Sequence, residues 1–97
     1  MPTYITLVRF TQKGAEQIKN GPARLEEGKK RAKERGAEIK AYYLTMGQYD
    51  AVLITEAPND EAQAVGALGA ASMGFIRTET MRAFTEAEYT KIVGQLS

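Results

Sequence analysis

Segments with strand and helix character follow one another in the order β-α-β-β-α-β, with one further helix at the end, and predict an α+β domain of the split βαβ kind. Three observations carry this expectation. Four segments are dominated by β-branched, aromatic and other apolar residues; the two segments between them are helical in composition and bounded by cap residues; and Thr85 with Glu88 opens a last helix with a capping box. With 97 residues the chain is expected to be one domain, spanning 1–97, because domains commonly run to about 100–150 residues.

Thr3–Phe10 (TYITLVRF) reads as the first strand. Its side chains separate into Tyr4, Thr6, Val8 and Phe10 on one face and Thr3, Ile5, Leu7 and Arg9 on the other. Both sets hold large apolar groups, so both faces are expected to be covered. Thr11 is placed to cap the helix that follows, its hydroxyl accepting from a free amide of the first turn. Residues 12–35 are helical in composition, with an interruption at Gly21-Pro22 that suits a restart capped just before Pro22. Ile18, Pro22, Leu25 and Ala32 form a narrow stripe expected to face the sheet, and Gly36 is the stop signal.

Residues 37–46 (AEIKAYYLTM) and 49–57 (YDAVLITEA) are the second and third strands, joined at Gly47-Gln48 as an expected tight hairpin. Asp60 with Gln63 resembles a capping box for a helix over 61–72, rich in alanine and carrying Gly66 and Gly69 in its interior. Glycine costs about 1 kcal/mol of helix propensity relative to alanine, which suggests that something packs closely against that backbone. Residues 75–84 (FIRTETMRAF) are the fourth strand, and the terminal helix over 87–96 carries Tyr89, Ile92, Val93 and Leu96. Phe10-Thr11 precedes Ile18 by the same offset as Phe84-Thr85 precedes Ile92, a weak internal echo of strand end, cap and helix contact.

The composition narrows the chemistry. Lys and Arg total 13 against 12 Asp and Glu, a net charge of +1 that argues against a dedicated nucleic-acid binder. The basic run Lys29–Arg35 reads as a solvated helix face with acidic neighbours at Glu26, Glu27 and Glu34. There is no cysteine and no histidine, which excludes disulfides, thiol nucleophiles, Cys/His zinc sites and every scheme that needs an imidazole. No carboxylate run has an EF-hand pattern, so no metal site and no cofactor is expected. The first residues pass straight into a strand, and no apolar run approaches the roughly 20 residues of a membrane span, so a cytoplasmic location without membrane contact is expected.

The densest polar-aromatic stretch is Tyr42-Tyr43-Leu44-Thr45-Met46-Gly47-Gln48-Tyr49-Asp50. Within it, Gly47-Gln48-Tyr49-Asp50 resembles the motif that gives the GYD-domain family its name, with one residue between the glycine and the Tyr-Asp pair. The stretches Tyr4–Thr11 and Arg77–Thr85 are similar to that family as well, so the resemblance spans nearly the whole chain. It implies a bacterial, ferredoxin-like domain related in architecture to dimeric α/β-barrel proteins, and it implies no particular activity.

Two readings of the motif stand side by side. In one it is a hairpin, with Gly47 in the turn, Asp50 bonding turn amides and the tyrosines paired across strands. In the other, Asp50 with Tyr42, Tyr43 or Tyr49 supplies the polar groups of a ligand pocket, joined by Arg77 as a clamp for a carboxylate or phosphate. Arg77 and Glu79 share one sheet face and Arg82 takes the opposite one, an arrangement that also suits an ion pair on a partly solvated sheet or across a dimer interface. The glycines at 66, 69 and 74 fit neither phosphate-loop pattern and read as close helix packing. Met46, Met73 and Met81 read as core filler.

A four-stranded sheet with its helices on one side leaves the other side open, and here that side is apolar. A second copy of the sheet is the economical cover, giving a dimeric α/β barrel or a larger homo-oligomer. Three functions follow as expectations. The first is a module that binds or senses a small molecule with Tyr42, Tyr43, Tyr49, Asp50 and Arg77. The second, by fold analogy, is a cofactor-free isomerase or monooxygenase. The third is a structural assembly protein.

Overall fold

The computed structural model describes all 97 residues, Met1–Ser97. Strand β1 (Thr3–Phe10) lies inside the sheet, antiparallel to β3 (Ala51–Glu56) on one side and to β4 (Ile76–Ala83) on the other. Strand β2 (Glu38–Leu44) pairs outside β3, so the order is β2-β3-β1-β4 and the first two strands are split by the third. The split βαβ order expected from the sequence is present.

The register separates the two faces. Tyr4 sits between Thr55 and Arg82, Thr6 between Leu53 and Thr80, and Val8 between Ala51 and Thr78. Tyr4, Thr6 and Val8 are buried on the side where the helices lie, whereas Ile5 and Leu7 remain half-buried on the other side. The chain itself therefore covers one face of a strand that is apolar on both.

Each helix has a local cause. Thr11 caps α1 (Gln12–Glu16) as expected: its Oγ1 accepts from the Gly14 N–H at 3.0 Å and donates to the Gly74 carbonyl at 2.7 Å. A 3₁₀ turn at Ile18–Asn20 leads into α2 (Gly21–Glu34). That helix starts one residue before Pro22, and Asn20 makes no side-chain cap; the 3₁₀ turn already supplies helical backbone at the junction, so a separate cap is not needed. Gly36 and Gly74 end α2 and α3 with left-handed backbone, φ 75° and 82°.

The cap of α3 (Asp60–Met73) is Asn59, whose Oδ1 accepts from the Ala62 N–H at 2.9 Å, and not the expected Asp60–Gln63 pair. Asp60 is engaged elsewhere: its carboxylate accepts the Tyr4 hydroxyl. That hydrogen bond, helped by burial and the charge of Asp60, raises the Tyr4 phenol above its usual range. Helix α4 (Glu86–Val93) begins with the full capping box, Glu88 N–H to Thr85 at 3.1 Å and Thr85 N–H to Glu88 at 2.8 Å. Accepting the Thr85 N–H holds the Glu88 carboxyl below its ordinary value.

The β2–β3 connection is longer than the two-residue turn expected at Gly47-Gln48. It runs from Thr45 to Asp50 and is closed by Thr45 N–H to the Asp50 carbonyl (2.9 Å) and the Thr45 hydroxyl to the Tyr49 carbonyl (2.6 Å). Gly47, at φ 119°, lets the chain reverse there.

The buried core is made mostly of small residues: Ala32, Ala37, Ala51 and Ala57 accompany Tyr4 and Val8. Met46 is fully exposed and Met81 half exposed, so neither fills the core; only Met73 is partly buried. Helix α4 packs extensively against nothing, and Tyr89, Ile92, Val93 and Leu96 all face outward. Ile18 and Ile92, expected as helix contacts, are 44% and 43% exposed: Ile18 sits in the 3₁₀ turn at the edge of the space between helices and sheet, and Ile92 lies on α4, which projects from the sheet. The Cα radius of gyration is 14.7 Å, above the roughly 12.5 Å of a compact domain of this length, consistent with that projecting helix.

Candidate functional site

Between α2, α3 and the covered sheet face lies a cavity of about 540 Å³. Its origin is a shortage of side-chain volume. The faces that α2 and α3 turn inward carry Gly28 and Ala32 on one helix and Gly66, Ala67, Gly69 and Ala70 on the other. Large aliphatic residues at these positions would fill the space between the layers; these do not. The expectation that something packs closely against the α3 backbone is met at Gly66 and not at Gly69. Nothing lies within 4 Å of a Cβ built on Gly69, whereas a Cβ on Gly66 would first meet the Arg35 guanidinium, at 2.6 Å.

The cavity floor is β-sheet. Thr6, Val8, Leu53 and Thr55 contribute from the two inner strands, Thr80 and Thr78 from β4. The Thr6 and Thr80 hydroxyls bond each other at 3.0 Å. A bulge in β2 between Ile39 and Ala41 puts Ile39 opposite Thr55 and Tyr42 opposite Leu53, so both line the cavity although they are three residues apart. Burial pushes the Tyr42 phenol above its usual range, with the negative charge of Asp50 adding to the effect, so Tyr42 remains a hydrogen-bond donor at neutral pH.

The α2 wall is cationic. Arg24, Arg31 and Arg35 line the cavity beside one carboxylate, Glu27, which is committed to Arg31 at 3.9 Å. Arg24 stacks on the Phe75 ring, 4.1 Å from its centroid, and donates to the Gln17 carbonyl at 3.2 Å. Arg35 donates from Nη1 to the Arg31 carbonyl at 3.1 Å, while its buried Nε has no protein acceptor. The run Lys29–Arg35 is thus mostly the solvated face expected: Lys29 pairs with Glu26 at 3.4 Å and Arg31 lies at the cavity edge with its side chain about half exposed, while Arg35 turns inward. Arginine at inward helix positions beside glycines was the signal in the sequence that composition and charge counting missed.

The five residues expected to form a pocket do not converge. Tyr42 alone lines the cavity. Tyr43 and Arg77 belong to the open face, Arg77 opposite Arg9 and Tyr43 opposite Val52. The Arg9 guanidinium lies over the Tyr49 ring, its Cζ 4.8 Å from the ring centroid, and the Tyr49 hydroxyl donates to Glu79 at 2.9 Å. Asp50 joins the hairpin to β1: its Oδ2 accepts from the Phe10 N–H at 2.8 Å, and its own N–H donates to the Val8 carbonyl at 2.8 Å. No group of three or more carboxylates or other ligating side chains could hold a metal ion.

An antiparallel sheet in the order β2-β3-β1-β4, with two crossover helices on one face, defines a ferredoxin-like α+β domain. A crystal structure of a protein from Thermus thermophilus has the same fold, with a TM-score of 0.54 at 24% identity over 88% of this chain and 95% of that one. The chain belongs to the GYD domain family, whose model matches residues 4–93. It is also 34% identical over 89 residues to the glutamine synthetase and cystathionine beta-lyase binding protein of Thermus thermophilus, covering 91% of this chain and 94% of that protein.

Proposed function

We propose that this protein is a binding module whose small-molecule ligand occupies the cavity between the helices and the sheet. The observation that supports this best is the cavity itself. Its volume of about 540 Å³ falls within the roughly 300–1,000 Å³ of ordinary ligand sites, and it combines apolar walls with a few fixed donors. Those donors are Tyr42, the floor threonines and the arginines of α2, groups that bind and orient a molecule. Titration with decanol, followed by amide NMR, is expected to shift Thr6, Val8, Leu53 and the inward residues of α2 and α3. Ala67→Phe, which puts a ring into the cavity, is expected to abolish those shifts. Shifts confined to the open sheet face or to α4 would overturn this reading.

A second reading concerns protein partners. The open face presents Ile5, Leu7, Val52 and Ile54 only half-buried, with Tyr43 and Met81 exposed beside them, and α4 adds a further apolar surface. This open apolar face supports a dimeric arrangement, in which a second copy of the chain would cover it. Tyr43, Tyr49 and Arg77 would then belong to that interface. The name of the 34% identical relative, a binding protein for two enzymes, supports a larger protein partner instead. Size-exclusion chromatography with light scattering separates the two: a wild-type dimer that Ile54→Lys converts to a folded monomer is the expected result. A wild-type monomer at tens of micromolar leaves the face to another protein.

A further inference from the structure

We infer that the cavity selects an apolar carboxylate, whose acid group is held at the C-terminal end of α2 by Arg35. This rests on the cavity being a ligand site and adds the chemical class of the ligand.

Three features of the geometry carry the inference. The first is the state of Arg35. Its Nε is buried with no protein acceptor, and no carboxylate lies within 4.0 Å of its guanidinium. Arginine stays charged at every physiological pH, so burial of one of its donors without a partner has to be offset, and an anion does that. The guanidinium presents a planar fork that matches a carboxylate in two parallel hydrogen bonds.

The second feature is Gly66. The Arg35 Nη2 lies 2.6 Å from where a Cβ would stand on that residue, so the absence of a side chain in α3 is what seats the guanidinium between the two helices. A glycine inside a helix costs stability, and seating this charge is a return for that cost.

The third feature is the balance of polar groups around the cavity. Glu27 is the one carboxylate on the wall and is already paired with Arg31, which leaves Arg24 and Arg35 with carbonyl partners only. The remainder is mainly Ile, Leu, Val, Phe, Ala and Gly, with threonine hydroxyls on the floor. Cationic donors at the α2 wall and an apolar body define a ligand with one acid group and a hydrocarbon or aromatic remainder.

The test compares decanoate with decanol, which share a chain and differ in the acid, by isothermal titration calorimetry on the full chain. Decanoate is expected to bind about tenfold or more tightly than decanol, the scale of a charged hydrogen bond gained in a partly buried site. Arg35→Met keeps the apolar stem and is expected to remove that preference while decanol affinity stays within about twofold. Gly66→Ala forces the guanidinium aside without altering any charge, improves helix propensity, and is expected to remove the preference too. It serves where Arg35→Met fails to fold. Equal affinity for acid and alcohol in the wild-type protein overturns the inference and leaves the cavity reading intact. A preference that survives both substitutions overturns the assignment to Arg35. Binding of neither molecule overturns the cavity reading and the inference with it.

Discussion

Gly14→Ala is expected to destabilise the fold by about 3 kcal/mol, the upper end of what overpacking usually costs. A Cβ on Gly14 would stand 2.1 Å from the Phe75 carbonyl oxygen and 3.1 Å from its carbon. Backbone cannot swing aside as the end of a side chain can. That carbonyl also accepts from the Thr11 N–H at 3.1 Å, and the Thr11 hydroxyl donates to the Gly74 carbonyl, so the start of α1 and the start of β4 are clamped together at this point. For a domain of this size the loss corresponds to a fall in melting temperature of more than about 10 °C. Gly28→Ala is the control, since nothing lies within 4 Å of its Cβ, and it should gain up to about 1 kcal/mol from helix propensity. Thermal unfolding followed by circular dichroism reads both. A Gly14→Ala protein that melts with the wild type would mean that the two chain segments are not held at this distance.

Asp50→Ala is expected to cost about 2 kcal/mol of stability while leaving affinity for a cavity ligand within about twofold. The carboxylate takes the place of a sheet acceptor for the Phe10 N–H, a partly buried donor, and truncation leaves that donor without its partner. Asn at this position keeps an acceptor oxygen and should recover about half of the loss. Urea unfolding of the three proteins, beside a decanol titration of each, separates the roles. Unchanged stability with lost binding would return Asp50 to the ligand site and remove it from the frame.

The contrast between these two residues shows what was legible. Thr11 and Thr85 announce their helices because a cap acts within three residues: the hydroxyl, the amide it serves and the start of the apolar pattern are neighbours in sequence. Gly14 gives no such sign. Its partner is Phe75, and the contact exists only once β1 and β4 lie side by side. The α3 cap shows the same limit at short range. Asp60 and Asn59 are adjacent and both suit a cap, and the choice was made by Tyr4, which claims Asp60 from a strand far away in the chain.

The candidate site divides in the same way. Tyr42, Tyr43, Tyr49, Asp50 and Arg77 are conspicuous as a polar-aromatic set, but strand alternation sends Tyr42 and Tyr43 to opposite faces, and the bulge at Ile39/Ala41 decides which goes where. Gly66 and Ala67 were visible as small residues in a helix. Whether small residues bring two backbones together or leave room between them depends on the spacing of the layers they face, and that spacing is set by α2, a helix on the far side of two intervening strands in the chain.

The amino-acid sequence by itself determined the strand and helix order, the capped helix starts at Thr11 and Thr85, the absence of thiol and imidazole chemistry, and the family. These follow from periodicity, composition and hydrogen bonds that close within a few residues. Tertiary structure alone decided the cavity, the seat of Arg35 against Gly66, the structural engagement of Asp50 and the face left open by α4. Each of these depends on the distance between elements far apart in the chain, and that distance comes from packing all of them at once.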